Sequence, residues 1–90
     1  MTLEQAIFEI LLEAGSKGLA LRKIARHAHN LTNTLFEQQN YEEVYAQVQK
    51  YLRKNSRNPY SFVAHASKRG YYRLNKKSEK YLQFKLSSSQ

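Results

Sequence analysis

The stretch Asn40–Lys54, NYEEVYAQVQKYLRK, decides how the chain is read. Tyr41, Val44, Tyr45, Val48, Tyr51 and Leu52 recur at the i, i+3, i+4, i+7 spacing that turns one face of an α-helix toward a core. At about 100° per residue, the opposite side carries Glu43, Ala46, Gln47, Lys50, Arg53 and Lys54. Asn40 suits the N-cap position, and Glu42 and Glu43 stand in the first turn, where the helix dipole favours anions. The stretch is predicted as a helix with a buried stripe and a far side that turns basic toward its C-terminus.

Working backward, Thr2–Gln5 has the form of a capping box, with Thr2 as N-cap and Gln5 at the third helical position. Leu3, Ala6, Ile7, Ile10, Leu11 and Ala14 form a helical stripe, flanked by Phe8 and Leu12. Glu4, Glu9 and Glu13 are assigned to water, and Gly15 to the end of the helix. After a turn at 16–18, Leu19 and Ala20 read as a very short extended segment. Leu21, Ile24, Ala25 and Ala28 then mark a second helix ending near Asn30, with Arg22, Lys23 and Arg26 pointing outward. Leu31–Gln39 holds Thr32, Asn33 and Thr34, which favour turns, and reads as either a helical turn or an irregular connection, with Leu35 and Phe36 tucked against the core.

Working forward, 55–59 is a loop, and Pro59 excludes a continuing helix. Ser61–Ala66 alternates Phe62, Ala64 and Ala66 against Val63 and His65, as a half-buried strand does. The turn Ser67–Gly70 leads into a second strand, Tyr71–Leu74, with Phe62, Tyr72 and Leu74 assigned inward. Helix, short strand, helix, helix, hairpin is the order of a winged helix. The expected fold is therefore mostly α with a small β-hairpin: a winged helix-turn-helix of three helices plus a two- to three-stranded antiparallel wing over residues 1–75. Residues 76–90 are expected to be a basic and apolar C-terminal extension, partly disordered. Within it, Leu82, Phe84 and Leu86 alternate with polar residues, which suits an extra strand, a partner-binding segment or the beginning of a truncated element.

Residues 3–74 resemble the HARE-type helix-turn-helix family, a winged-helix family. The likeness is carried by LEQAIFEILLEAG, GLALRKIA, VYAQVQKYL and SFVAHASKRGYYRL, and spans about four-fifths of the chain. The chain departs from the pattern at Ala20, where a Ser or Thr cap is missing, and aligns loosely over Leu31–Gln39. Linker-histone globular domains are similar in the order of their elements. The resemblance implies DNA binding or protein contact in a transcription- or chromosome-associated setting: a cytoplasmic, nucleoid-associated protein in a bacterium, a nuclear one in a eukaryote. It implies no catalytic residue.

Charge bears on the partner. Residues 1–49 hold four bases and six acids, net −2, whereas residues 50–90 hold eleven bases and one acid, net +10. Such asymmetry points to a polyanion, double-stranded DNA first. In a helix-turn-helix the exposed side of the second helix of the motif enters the major groove. Gln47 and Gln49 are then candidates for base edges, and Lys50, Arg53 and Lys54 for phosphate or guanine. Lys68 and Arg69 at the hairpin tip, and Arg22, Lys23 and Arg26 on the second helix, are candidate backbone contacts. The bland account of the bases on the third helix is that they complement the helix C-terminus, worth about 0.3–1 kcal/mol. That account suits Lys54 alone better than three bases on one face.

An alternative is a protein–protein module whose basic half meets an acidic partner, such as a subunit of the transcription machinery. Eleven aromatic residues exceed what a core this size must bury, which adds a protein interface or a homodimer through the C-terminal extension as options. Other chemistries find little support. Absence of Cys removes disulfides and thiolate metal sites, and His27 and His29, two apart on a helix, point in different directions, so neither a metal nor a cofactor is expected. No phosphate loop, nucleophile elbow or paired-carboxylate motif marks an enzyme. Glu4, Glu9 and Glu13 interrupt the N-terminal apolar run, so neither a signal peptide nor a membrane span is expected.

Overall fold

The computed structural model describes residues 2–32 and 39–88, the side chains of residues 87 and 88 aside. Four α-helices and one small antiparallel sheet make up the described chain: α1 (Leu3–Ala14), a 3-10 turn at Gly15–Lys17, β1 (Leu19–Ala20), α2 (Leu21–Thr32), α3 (Tyr41–Asn55), β2 (Val63–His65), β3 (Tyr71–Leu74) and α4 (Glu79–Ser88). The arrangement is compatible with a winged helix. No helix among the described residues is long and apolar enough to cross a membrane.

Local chemistry sets the helix ends. The Thr2 hydroxyl accepts from the Gln5 amide at 3.1 Å, and the Gln5 side chain accepts from the Thr2 amide at 3.1 Å, the reciprocal pair of a capping box. Asn40 Oδ1 accepts from the Glu42 amide at 2.7 Å and starts α3. α2 runs on past Asn30 to Thr32, whose hydroxyl donates to the Ala28 carbonyl at 2.8 Å. The reading of Leu35 and Phe36 as core residues falls outside the described residues.

The sheet has the order β1-β3-β2, with Leu19 opposite Tyr72 on one side of β3 and Val63 opposite Leu74 on the other. The hairpin is shorter than its alternation suggests. Val63 is buried and Ala64 only half-buried, because Phe62 lies before the strand, in an irregular segment that turns its ring inward. Gly70, at φ +81°, closes the hairpin turn, and the Tyr71 amide donates to the Lys68 carbonyl at 3.1 Å. Gly18 is required for a different reason. Its φ is +76°, and a Cβ there would stand 2.5 Å from the Tyr72 carbonyl oxygen, so only glycine lets β1 reach β3.

The core gathers Ile7, Phe8 and Leu11 of α1, Ile24 of α2, and Val48 and Leu52 of α3, all fully buried. Phe8 and Phe62 meet edge to face at 5.3 Å between ring centres, and Phe84 of α4 lies 5.3 Å from Phe8 and 5.0 Å from Phe62. The segment whose alternation suggested a strand is thus a helix that seals one end of the core. Ser78 starts it, its hydroxyl accepting from the Tyr81 amide at 3.0 Å, and Tyr81 is buried. Among the described aromatic residues only Tyr60 is exposed; Phe8, Phe62, Tyr72 and Tyr81 are buried and the others half-buried.

Glu4, assigned to water from its spacing, instead ties three helices together. Its carboxylate accepts from the Tyr51 hydroxyl at 2.7 Å and pairs with Lys80 at 3.7 Å. Burial, then the hydrogen bond to Glu4 and the Glu4 charge, push the Tyr51 hydroxyl well above its ordinary value. A folded-state pKa raised in this way gives stability that is whole below the unfolded tyrosine value of about 10 and is lost as pH rises beyond it. Urea unfolding above about pH 10 is therefore expected to show a steeper loss of stability for the native chain than for Tyr51→Phe. Parallel pH profiles for the two proteins would contradict the assignment.

Candidate functional site

α3 positions the candidate site. With Val44, Val48 and Leu52 locked into the core, the opposite side of the helix is held outward, and Ala46, Gln47, Lys50, Arg53 and Lys54 are all exposed. Ala46, Gln49, Lys50, Arg53, Lys54 and Arg57 line one shallow concavity of about 540 Å³. Their spacing is i, i+3, i+4, i+7, i+8, i+11, a single stripe rising about 1.5 Å per residue and so about 17 Å long. None of its four cations has an ion pair among the described residues. A run of like charge without acids is electrostatically unfavourable by itself and is relieved by an anion spanning it.

Arg57 is the member that sequence reasoning missed. Helix α3 ends at Asn55, and Ser56 continues in right-handed helical geometry, its amide donating to the Leu52 carbonyl at 2.9 Å. The chain therefore carries Arg57 onto the stripe before it turns away at Asn58, whose side chain accepts from the Tyr60 amide at 3.0 Å. The i+4 step from Arg53 is the signal in the sequence, and Pro59 two residues on masks it by marking a loop.

The other candidates are placed as follows. Gln47 is exposed on the flank of the stripe and does not line the concavity. Gln49 lines it from a half-buried position. Lys68 and Arg69 are exposed at the hairpin turn, with Lys68 Nζ 4.9 Å from the centre of the Tyr71 ring, a cation–π contact that rests the side chain against its own strand. Arg22, Lys23 and Arg26 are exposed on α2, and neither they nor the hairpin pair line the concavity. At the head of α3, Glu42 and Glu43 are exposed and confine the positive field to the C-terminal half of the helix.

The two histidines of α2 diverge. His27 is exposed beside Glu9 and Glu13, while His29 is half-buried, donating from Nε2 to the Gln39 carbonyl at 2.7 Å and meeting the Tyr41 ring edge to face. His29 thereby joins the end of α2 to the start of α3. Searches of family models, of curated proteins and of solved structures return no match to the chain.

Proposed function

We propose that the chain is a winged-helix module that binds duplex DNA, laying the outer stripe of α3 in the major groove with the β2–β3 hairpin as its wing. The observation that carries this reading is the stripe itself: Lys50, Arg53, Lys54 and Arg57 aligned on one side of an exposed helix, opposite the buried face and without acidic partners among the described residues. A helix about 10–12 Å across fits a major groove about 12 Å wide. Gln49 is the side chain of the stripe suited to base edges, and the cations suit phosphate. Lys68 and Arg69, exposed at the hairpin turn, suit the flanking backbone. Because cations outnumber base-reading groups, the binding is mostly electrostatic and weakly selective for sequence, as suits a transcription- or chromosome-associated role.

Gel-shift titration on random duplex DNA at several salt concentrations tests this. With about six phosphate contacts, affinity falls with salt at a log–log slope near −5. Binding that is absent, or that ignores salt, ends the reading.

A further inference from the structure

A second hollow, sharing no residue with the stripe, lies where the end of α1 meets the sheet and the turn after β3. It measures about 360 Å³. Its floor is apolar, formed by Leu12, Ala64 and Leu74 over the fully buried Leu11, and Leu12 is 39% exposed there. Its rim is basic, with Arg73, Lys76 and Lys77. Among the described residues no acid lines the hollow, and these three cations have no ion pair.

The shape is built in rather than incidental. Ala64 stands opposite Arg73 in the sheet, so the position across from the arginine is left shallow. Asn75 fastens the following turn: its side chain donates to the Pro59 carbonyl at 3.2 Å and accepts from the Lys77 amide at 3.2 Å, while its own amide donates to the Phe62 carbonyl at 2.6 Å. The backbone carrying Lys76 and Lys77 is thereby pinned to the sheet beside Arg73.

We propose that this hollow is a second interaction surface, which takes an acidic, extended peptide segment of a protein partner. One apolar side chain of the segment sits on Leu12 and Leu74, and flanking carboxylates meet Arg73, Lys76 and Lys77. Charge complementarity selects an acidic ligand, and the apolar floor selects a peptide over a nucleic acid. A duplex backbone has no apolar group to place on the leucines, whereas a Phe or Leu side chain gains from leaving water there. This surface goes beyond the reading of α3 and does not depend on it.

The test uses the full chain and a short labelled peptide of Asp and Glu around a central Phe, followed by fluorescence anisotropy, with the same peptide carrying Ser in place of Phe. The Phe peptide is expected to bind about fivefold or more tighter than the Ser peptide. Arg73→Gln, Lys76→Gln and Lys77→Gln together should weaken it about tenfold, since each is a solvent-facing charge. Leu12→Ser should weaken it about fivefold, leaving duplex DNA binding within about twofold of the native chain. Equal affinity for the two peptides, or no peptide binding at all, overturns the proposal, and this comparison needs no variant that must fold. Loss of duplex binding in the Arg73, Lys76 and Lys77 variant as large as on neutralising α3 also overturns it, by assigning those cations to DNA.

Discussion

Neutralising Lys50, Arg53 and Lys68 together (Lys→Gln and Arg→Gln) is expected to weaken binding to random duplex DNA by about two orders of magnitude near 0.1 M salt. The magnitude follows from counterion release. Each phosphate contact contributes an exponent of about −0.9 to the salt dependence, so each is worth roughly eightfold at 0.1 M, and loss of three approaches several hundredfold. Some of that is recovered by Lys54 and Arg57, which remain on the stripe. The log–log slope should also become shallower by between two and three. All three side chains are exposed and unpaired with acids among the described residues, so thermal stability should stay within about 0.5 kcal/mol of the native chain. A variant that folds normally and binds DNA as before, with the same slope, removes the α3 stripe from the interface. Neutralising Arg22, Lys23 and Arg26 in parallel separates α2 from α3. If phosphate is met from α2 instead, the larger loss appears there.

How much of this was legible in the sequence depended on whether a segment carried its own punctuation. α1 and α3 were readable because each has a capping residue at its head and a full stripe behind it: Thr2 with Gln5, and Asn40 with Glu42 and Glu43. The hairpin was readable through Gly70 and the β-formers of 71–74. Errors fell where a weak local pattern competed with a tertiary contact. Alternation counted from Phe62 places Val63 on the outer face, whereas the irregular chain before β2 lets both residues turn inward. Glu4 has the spacing of a solvated acid, and only the approach of Tyr51 from 47 residues away makes it a half-buried partner. Such a contact leaves no trace in local periodicity. The stripe on α3 was legible up to Lys54, and Arg57 was lost because a helical track can continue past the last helical residue.

The C-terminal segment is the largest departure, and it carries the second strong expectation: Tyr81→Ala with Phe84→Ala should destabilise the domain by at least about 3–5 kcal/mol, the range for removing one buried aromatic ring. Leu82, Phe84 and Leu86 alternate, but the side chains that pack inward are Tyr81 and Phe84, three apart, while Leu82 and Leu86 are exposed. Ser78 followed by Glu79 was the start signal, and Tyr81 with Phe84 the stripe. Removing both rings strips Phe8 and Phe62 of their cover at one end of the core, since Phe84 stands 5.3 Å and 5.0 Å from them. Against a total stability of about 5–15 kcal/mol, that loss is a large fraction of the whole. At about 4–8 °C per kcal/mol for a domain of this size, the melting temperature should fall by more than about 12 °C. Leu82→Ser with Leu86→Ser, on the exposed side of the same helix, should move it by little. Calorimetry on the two double variants decides the matter. Equal, small shifts in both would mean that α4 is an appendage and that the core closes without it; a large shift confined to the Tyr81 and Phe84 pair makes residues 79–88 part of the folding unit, so a stable domain cannot be cut at residue 75.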